Sequence, residues 1–585
     1  MLHTIIKENA YQDSVVLMLL TNKISTMDGI ERVSIMMGTP ANKDIMGGSG
    51  LRTPELEDAS ANDLAIVLDT EDASIIDAVL AEVDEFLLSQ ATSSNETADE
   101  AARTWDKAIK MGADANMALL SIPGTYAALE AEKALDEELN VFIFSDNMSI
   151  EDELHLKQKA HEKGLLVMGP DCGTGIINGV PMAFTNIVRP GKIGIVGASG
   201  TGIQEVSTII DKLGAGVTNA IGTGGRDLSE KIGGITMLDS IAALEKDPQT
   251  DIIVVISKPP AKAVRDKVVA LLRKVSKPVV AIFLGEKPTH HEENLYFAYT
   301  LEETAKIAVD LLNGKAIAAL DETVSVPKVT LQPSQKHLKG YYSGGTLASE
   351  AGMLIADALH LKAGLIKQDG FVLKTEGNEV IDLGDDMYTQ GKPHPMIDPE
   401  KRIEMIKQAA DDAETAIILV DVVLGYGAHM DMASELAPAI KEVKAKAKAA
   451  GRELVVLGTV VGTTSDPQNL VRQQEILTEA GVIVCESNNK AVRTGLAMLG
   501  HYVNDPDKTI TAPDSTVEIA IPEVSDKVLA LLTTQPSVIN IGLKSFSEAI
   551  RETGGKAVQF DWRPAAGGDV TLQKVLYFLN NYKKA

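Results

Sequence analysis

The chain predicts an α/β protein of several parallel-sheet domains behind a small N-terminal α/β sandwich. Three observations predict it. Short apolar runs alternate with amphipathic stretches along most of the 585 residues, and strands separated by helices imply parallel pairing. The run Lys192 to Ala198 passes through Ser199-Gly200-Thr201-Gly202 into an amphipathic stretch, the pattern of buried strand, tight turn and helix. The segment Gly345-Thr346-Leu347-Ala348-Ser349-Glu350 then repeats the Gly-Thr-x-x-x-Glu of Gly200 to Glu205.

The elements follow in order. Residues 1–90 form a ferredoxin-like domain. Its strands are His3–Lys7, Arg32–Met37 and Leu64–Asp69, and its helices are Asp13–Ile24 and Ala73–Leu88. Ala91–Glu100 is polar and aperiodic, which marks a linker. Residues 105–190 carry strands Ala118–Ile122, Val141–Phe144 and Leu165–Met168, with a helix opening at Ser149 behind an acidic first turn. Residues 191–330 place strands at Ile193–Val196, Ile252–Ile256 and Val279–Leu284. Residues 337–505 place them at Ala416–Val423, Leu454–Gly458 and Val482–Cys485. These two units read as a duplication, with a connector near Gly314–Pro333. Each opens on the Gly-Thr-x-x-x-Glu loop, carries a second glycine-rich segment, and then an amphipathic helix and an apolar strand. Their loops are expected to face one shared site. Residues 506–585 hold one more strand, Ser537–Leu543, and are too short for a large independent domain.

Composition narrows the function. A formal charge of −27 repels a phosphate backbone, which excludes nucleic acid as the expected partner but not a small anion in a local cradle. Cys172 and Cys485 are the only cysteines, so a disulfide framework is excluded and a reducing, cytoplasmic setting is expected. No signal peptide and no apolar run of membrane-spanning length are visible.

Ser199, Gly200, Thr201 and Gly202 are the first phosphate-binding candidates, and Ser343, Gly344, Gly345 and Thr346 the second. Backbone N–H groups at a helix start attract an anion, and glycine lets it approach. The alternative for each is an ordinary capped turn. Gly224 and Gly225 precede Arg226, whose guanidinium suits a two-pronged grip on a carboxylate or phosphate. Asp385, Asp386, Lys392 and His394 cluster among glycines and prolines, and His394 suits proton transfer near neutral pH. Arg226 and His394 are therefore the catalytic candidates, and Gly224, Gly225 and Lys392 the substrate contacts. Cys172 reads as a buried small apolar residue, His290 and His291 as a solvated loop, and no Cys/His cluster has the spacing of a metal site.

Several of these segments resemble succinyl-CoA synthetase. Gly169-Pro170-Asp171-Cys172-Gly173, Pro190 to Val196 followed by Ser199-Gly200-Thr201, and Glu245 to Thr250 look like its CoA- and phosphate-binding subunit. Residues 337–505 look like a domain of the partner subunit. The whole chain, including Met36 to Lys43 and Gly391 to Pro399, resembles the FdrA family. The resemblance implies a Rossmann-like CoA-binding-type unit at 105–190 and two flavodoxin-like, synthetase-type domains. It also implies a subunit of a hetero-oligomeric oxamate carbamoyltransferase of anaerobic allantoin breakdown, which turns oxalurate and phosphate into oxamate and carbamoyl phosphate. An acyl-CoA synthetase and a non-catalytic phosphometabolite-binding subunit are the alternatives. No segment has an ATP-grasp pattern. The phosphohistidine motif Gly-His-Ala-Gly-Ala is replaced by Glu286 to Glu293, and no first glycine-rich CoA loop is evident before residue 105. The expectation is thus phosphate as a substrate, no required cofactor, and CoA as a weaker possibility.

Overall fold

The computed structural model describes residues 1–582 apart from 13, 93–101, 289–290, 318–321, 362–367, 390–391 and 504–516. Most of the expected linker and His290 therefore lie outside the described residues.

In the N-terminal unit, Leu64–Asp69 is the central strand, antiparallel to Leu2–Lys7 on one side and Arg32–Met37 on the other. Alternation along it feeds two cores. Leu64, Ile66 and Leu68 meet Leu17, Leu20, Val79 and Val83 of the two long helices. Ala65 and Val67 meet Met46, Leu51 and Leu56. That second face is covered by the helices Pro40–Gly48 and Pro54–Asp58, which the sequence reading left out. Each opens on Thr-Pro, with the threonine side chain accepting a first-turn N–H. The sheet has three strands in place of the four of a ferredoxin-like unit.

The next sheet is parallel, in the order Lys556–Phe560, Ser537–Ile541, Met117–Leu120, Asn140–Ile143, Val167–Met168. The C-terminal segment thus completes a sheet begun more than 400 residues earlier, giving the doubly wound 3-2-1-4-5 order. Met117, Ala118, Leu119 and Leu120 are fully buried, which is why the edge of a three-strand unit needs the tail to cover it. The strands also do not divide at residue 190. The hairpin Thr174–Ile177 and Val180–Ala183 joins the following sheet, antiparallel to Val217–Gly222.

The two duplicated units share a 2-1-3-4-5 order. The first runs Val217–Gly222, Pro190–Ala198, Ile252–Ser257, Val279–Phe283, Leu295–Ala298. The second runs Glu379–Asp382, His337–Tyr342, Thr415–Val423, Val455–Val461, Val482–Cys485, with Phe371–Lys374 antiparallel at the edge. Ligands in such sheets lie beyond the C-terminal ends of strands one and three, where the strand order reverses.

The glutamates of the repeated motif lock the units together by exchange. Glu205, on the first unit's helix Gly200–Lys212, accepts the N–H of Asn488 at 3.1 Å, at the start of the second unit's last helix, Asn488–Met498. Glu350, on the second unit's helix Gly345–Ala358, accepts the N–H of Leu301 at 2.8 Å, at the start of the first unit's last helix, Leu301–Leu312. Asn488 Nδ2 also donates to Glu350 at 2.8 Å. Each unit therefore satisfies an orphan helix-terminal donor of the other.

Burial, with Glu205 and Glu302 nearby, pushes the Glu350 carboxyl up to about 8. Unfolded, it would ionise near the ordinary 4.5. Above that pH the unfolded chain releases a proton that the folded chain keeps, so stability falls as pH rises toward 8. Glu350→Gln keeps the acceptor for Leu301 and cannot ionise, but its amide nitrogen replaces the oxygen that accepts from Asn488 Nδ2. In thermal denaturation the native chain is expected to lose melting temperature between pH 5 and pH 8, and the variant, whatever its absolute stability, to lose less over the same range.

Candidate functional site

The duplicated loops meet. Ser199 Oγ and Thr346 Oγ1 are 2.6 Å apart, and the Thr346 N–H donates to Thr201 Oγ1 at 3.2 Å. Both loops line one cavity of about 160 Å³ at the C-terminal ends of the two sheets. The expected common cleft therefore exists, with Ser199, Gly200, Thr201, Ser343, Gly345 and Thr346 on its wall.

The first loop has the geometry of an anion cradle. Ser199 caps the helix, its Oγ accepting the Gly202 N–H at 3.1 Å. Gly202 itself is turned from the cavity, and a Cβ there would collide with Ser199 Oγ. The amides of Gly200 and Thr201 stand at the first two helical positions, where no intrahelical acceptor exists.

The second loop is different, against the expectation of two open cradles. Asp421, a lone acid inside the apolar strand Thr415–Val423, reaches under it. Its carboxylate accepts the Ser343 and Gly344 N–H groups, both at 2.7 Å, and Ser343 Oγ at 3.0 Å. Arg402, fully buried, pairs with Asp421 at 3.0 Å. The chain's own carboxylate thus occupies the amides of Ser343 and Gly344, and Gly344 does not line the cavity.

Two charged residues that the sequence does not single out, Lys258 and Asp382, also line the cavity. Lys258 follows the strand Ile252–Ser257. Among the described residues its ammonium has no carboxylate within ion-pair distance. Asp382 ends the strand Glu379–Asp382. Its Oδ1 accepts the Gly384 N–H at 2.9 Å, and nothing among the described residues hydrogen-bonds Oδ2. Burial raises this carboxyl above its ordinary value, and Lys258 opposes the rise. Glycine is required at 345, since a Cβ would strike Asp382 and stand 3.2 Å from Lys258 Nζ. Asp171, Thr174 and Phe184 complete the opposite side.

His394 lines the cavity. The Met396 N–H donates to its Nδ1 at 3.2 Å, which puts the ring proton on Nε2. Burial, aided by the charge of Arg402, holds the imidazole down to about 4. His394 is therefore neutral at pH 7 and presents a hydrogen-bond donor rather than a cation or a base.

Gly224 and Gly225 reach the cavity, but Arg226 does not. Its guanidinium is spent on Glu153 and on the Met148 carbonyl, both at 2.9 Å. Lys392 is 58% exposed and lies beside Glu400, away from the cavity. Cys172 is buried, its thiol pushed up to about 12, which removes it as a nucleophile. His291 accepts the Phe297 N–H outside the cleft. Asp385 and Asp386 are exposed and start a short helix.

Three family models match: AllF, heavy metal-associated domain, over residues 1–104; CoA binding domain over 188–285; and CoA-ligase over 341–498. The CoA-binding pattern thus falls on the seven-stranded sheet, not on 105–190. The uncharacterized protein YahF of Escherichia coli K12 is 46% identical over 505 residues, covering 84% of this chain and 97% of that one. The chain belongs to the FdrA-like, succinyl-CoA synthetase-like family. The family's more distant relatives include the succinate–CoA ligase subunit alpha 2 of Archaeoglobus fulgidus, 30% identical over 180 residues. That match covers 30% of this chain and 60% of the ligase subunit. Among solved structures, a dinucleotide-forming acetyl-coenzyme A synthetase of Ca. Korarchaeum cryptofilum matches with 15% identity and a TM-score of 0.27, over 66% of this chain and 82% of that one. The metal that the first model's description names does not fit here. Residues 1–104 contain no cysteine, and among the described residues no group of three His, Cys, Asp or Glu side chains is placed to hold an ion. No described helix is long and apolar enough to cross a membrane.

Asp421→Ala would leave Arg402 buried without its partner, a change that costs about 3–5 kcal/mol. Urea denaturation is expected to report a loss of at least that order, with Arg402→Met/Asp421→Asn, which keeps an acceptor for the Ser343–Gly344 amides, recovering part of it.

Proposed function

We propose that the cleft transfers a carbamoyl group between a nitrogen acceptor and inorganic phosphate, the chain serving as one subunit of a carbamoyltransferase. The observation that carries this reading is the meeting of both repeated loops at Ser199 and Thr346 around a single cavity that holds an uncommitted lysine. In the forward direction, phosphate is held by the Gly200 and Thr201 amides and by Lys258. A phosphate oxygen attacks the carbamoyl carbon of oxalurate. The tetrahedral oxyanion is stabilised by Lys258 and the Nε2–H of His394. The carbon–nitrogen bond then breaks, and the proton of the attacking hydrogen phosphate passes to the departing oxamate nitrogen. Atoms and charge balance with no nucleotide.

Cavity size supports the same reading. Coenzyme A belongs to pockets of at least about 300 Å³, and this cavity is about 160 Å³. The relatives named as alpha subunits support the expectation of partner chains. The matched CoA-ligase model favours one second reading, an acyl-CoA ligase, whose mark would be ATP-dependent phosphorylation of the protein.

Incubating the chain, alone and with candidate partner subunits, with oxalurate and phosphate is expected to yield carbamoyl phosphate. Lys258→Met should lower kcat/KM by at least about ten-fold, while Thr201→Val and Gly200→Ala weaken phosphate binding more than folding. Absence of carbamoyl phosphate from every combination would overturn the proposal.

A further inference from the structure

The cleft is not symmetric in charge, and the asymmetry selects the substrate. Asp421 has closed the amides of the second loop to any outside anion. On that same side Asp382 projects a carboxylate oxygen with no hydrogen-bond partner among the described residues. A negative group placed against Asp382 would meet repulsion, whereas a hydrogen-bond donor there would meet attraction. Lys258 Nζ and Asp382 Oδ2 both border Gly345, so a positive and a negative group face the same few ångströms of space. His394 Nε2 and Asp382 Oδ1 both border Gly384, where a Cβ would stand 2.7 Å and 3.2 Å from them. Asp382 is therefore flanked by two donors aimed at an oxyanion while itself able only to accept.

We infer that Asp382 is the group that selects a carbamoyl over other acyl groups, its Oδ2 receiving an N–H of the carbamoyl nitrogen while Lys258 and the Gly200–Thr201 amides hold the phosphate. This rests on the transferase reading above and names the chemical class within it: an acyl phosphate whose acyl carbon bears an N–H in place of a methyl. A buried acceptor left unpaired by the methyl analogue costs more than the hydrogen bond itself supplies, so discrimination is steep.

Carbamoyl phosphate and acetyl phosphate, which differ in NH₂ against CH₃, test it by calorimetric titration of the purified chain. Carbamoyl phosphate is expected to bind at least about ten-fold more tightly. Asp382→Asn should abolish that preference, and Lys258→Met should weaken both ligands alike. Circular dichroism melting of each variant separates lost binding from lost folding. Equal affinity of the native chain for the two compounds would overturn the role of Asp382 and leave the phosphate cradle standing. Binding of neither would overturn the cradle and this inference with it. Discrimination that survives Asp382→Asn in a folded variant would assign the selection to another residue.

Discussion

Glu205 and Glu350 hold the duplicated units in one register, and the cleft depends on that register. Each sits one turn along the helix that begins at its own loop, and each reaches across to the start of the other unit's last helix. The distance from Ser199 to Glu205, or from Thr346 to Glu350, is fixed by helical geometry. Once the glutamates are seated, the two loop ends must confront one another, and the hydroxyl contact between Ser199 and Thr346 follows. The motif Gly-Thr-x-x-x-Glu thus encodes a docking device and a loop in the same six residues. Its cost is two buried carboxyls whose ionisation opposes folding, both raised by burial, Glu350 further by Glu205 and both by Glu302.

Equivalent loops need not stay equivalent. The strands that carry them have the same order and direction, yet the third strand of the first unit ends in Ser257 and is followed by Lys258, while that of the second contains Asp421. Two helix starts pointed into one small space repel each other unless something negative lies between them. Asp421 supplies half of that negative charge permanently, paired to Arg402 so that its own burial is tolerable. The other half of the space stays open, and it is where the proposed phosphate would lie. Duplication followed by internal neutralisation of one copy turns a symmetric pair of cradles into a directional site.

Much of this was legible in the sequence. Val482–Cys485 and Arg32–Met37 were read to the residue, because branched apolar runs between polar turns admit few alternatives. The hairpin over 174–183 was missed although its signal was present: Asn178-Gly179, both with positive φ, is the preferred two-residue turn. Asp421 carried a signal too, since a single acid within a nine-residue apolar strand must find a partner. Lys258 and Asp382 carried none. Each is an ordinary residue at or just past the end of an ordinary strand, and only the strand order brings those ends to the same cavity. Arg226 misled because an arginine after glycines looks like an anion clamp, and nothing local announces that Glu153, 73 positions earlier, will claim it. The tail was underestimated for a similar reason: the sheet edge it covers lies at the other end of the chain.

The net charge of −27 and the proposed binding of an anion in the cleft are compatible for a physical reason. Charges on the outer surface are screened within about 8 Å at physiological salt, whereas amide dipoles and one lysine in a confined cavity act across contact distance in a poorly screened medium. The acidic exterior then does little to the bound state and acts mainly on approach, slowing anions in proportion to their charge. Within the cavity the balance is set by Lys258, two free helix-terminal amides and the neutral His394 against Asp382 and Asp171. A ligand that is negative at one end and donates hydrogen at the other satisfies all of them at once. Inorganic phosphate alone satisfies only the first set. The acceptors opposite, left without a donor, favour the ligand that carries both.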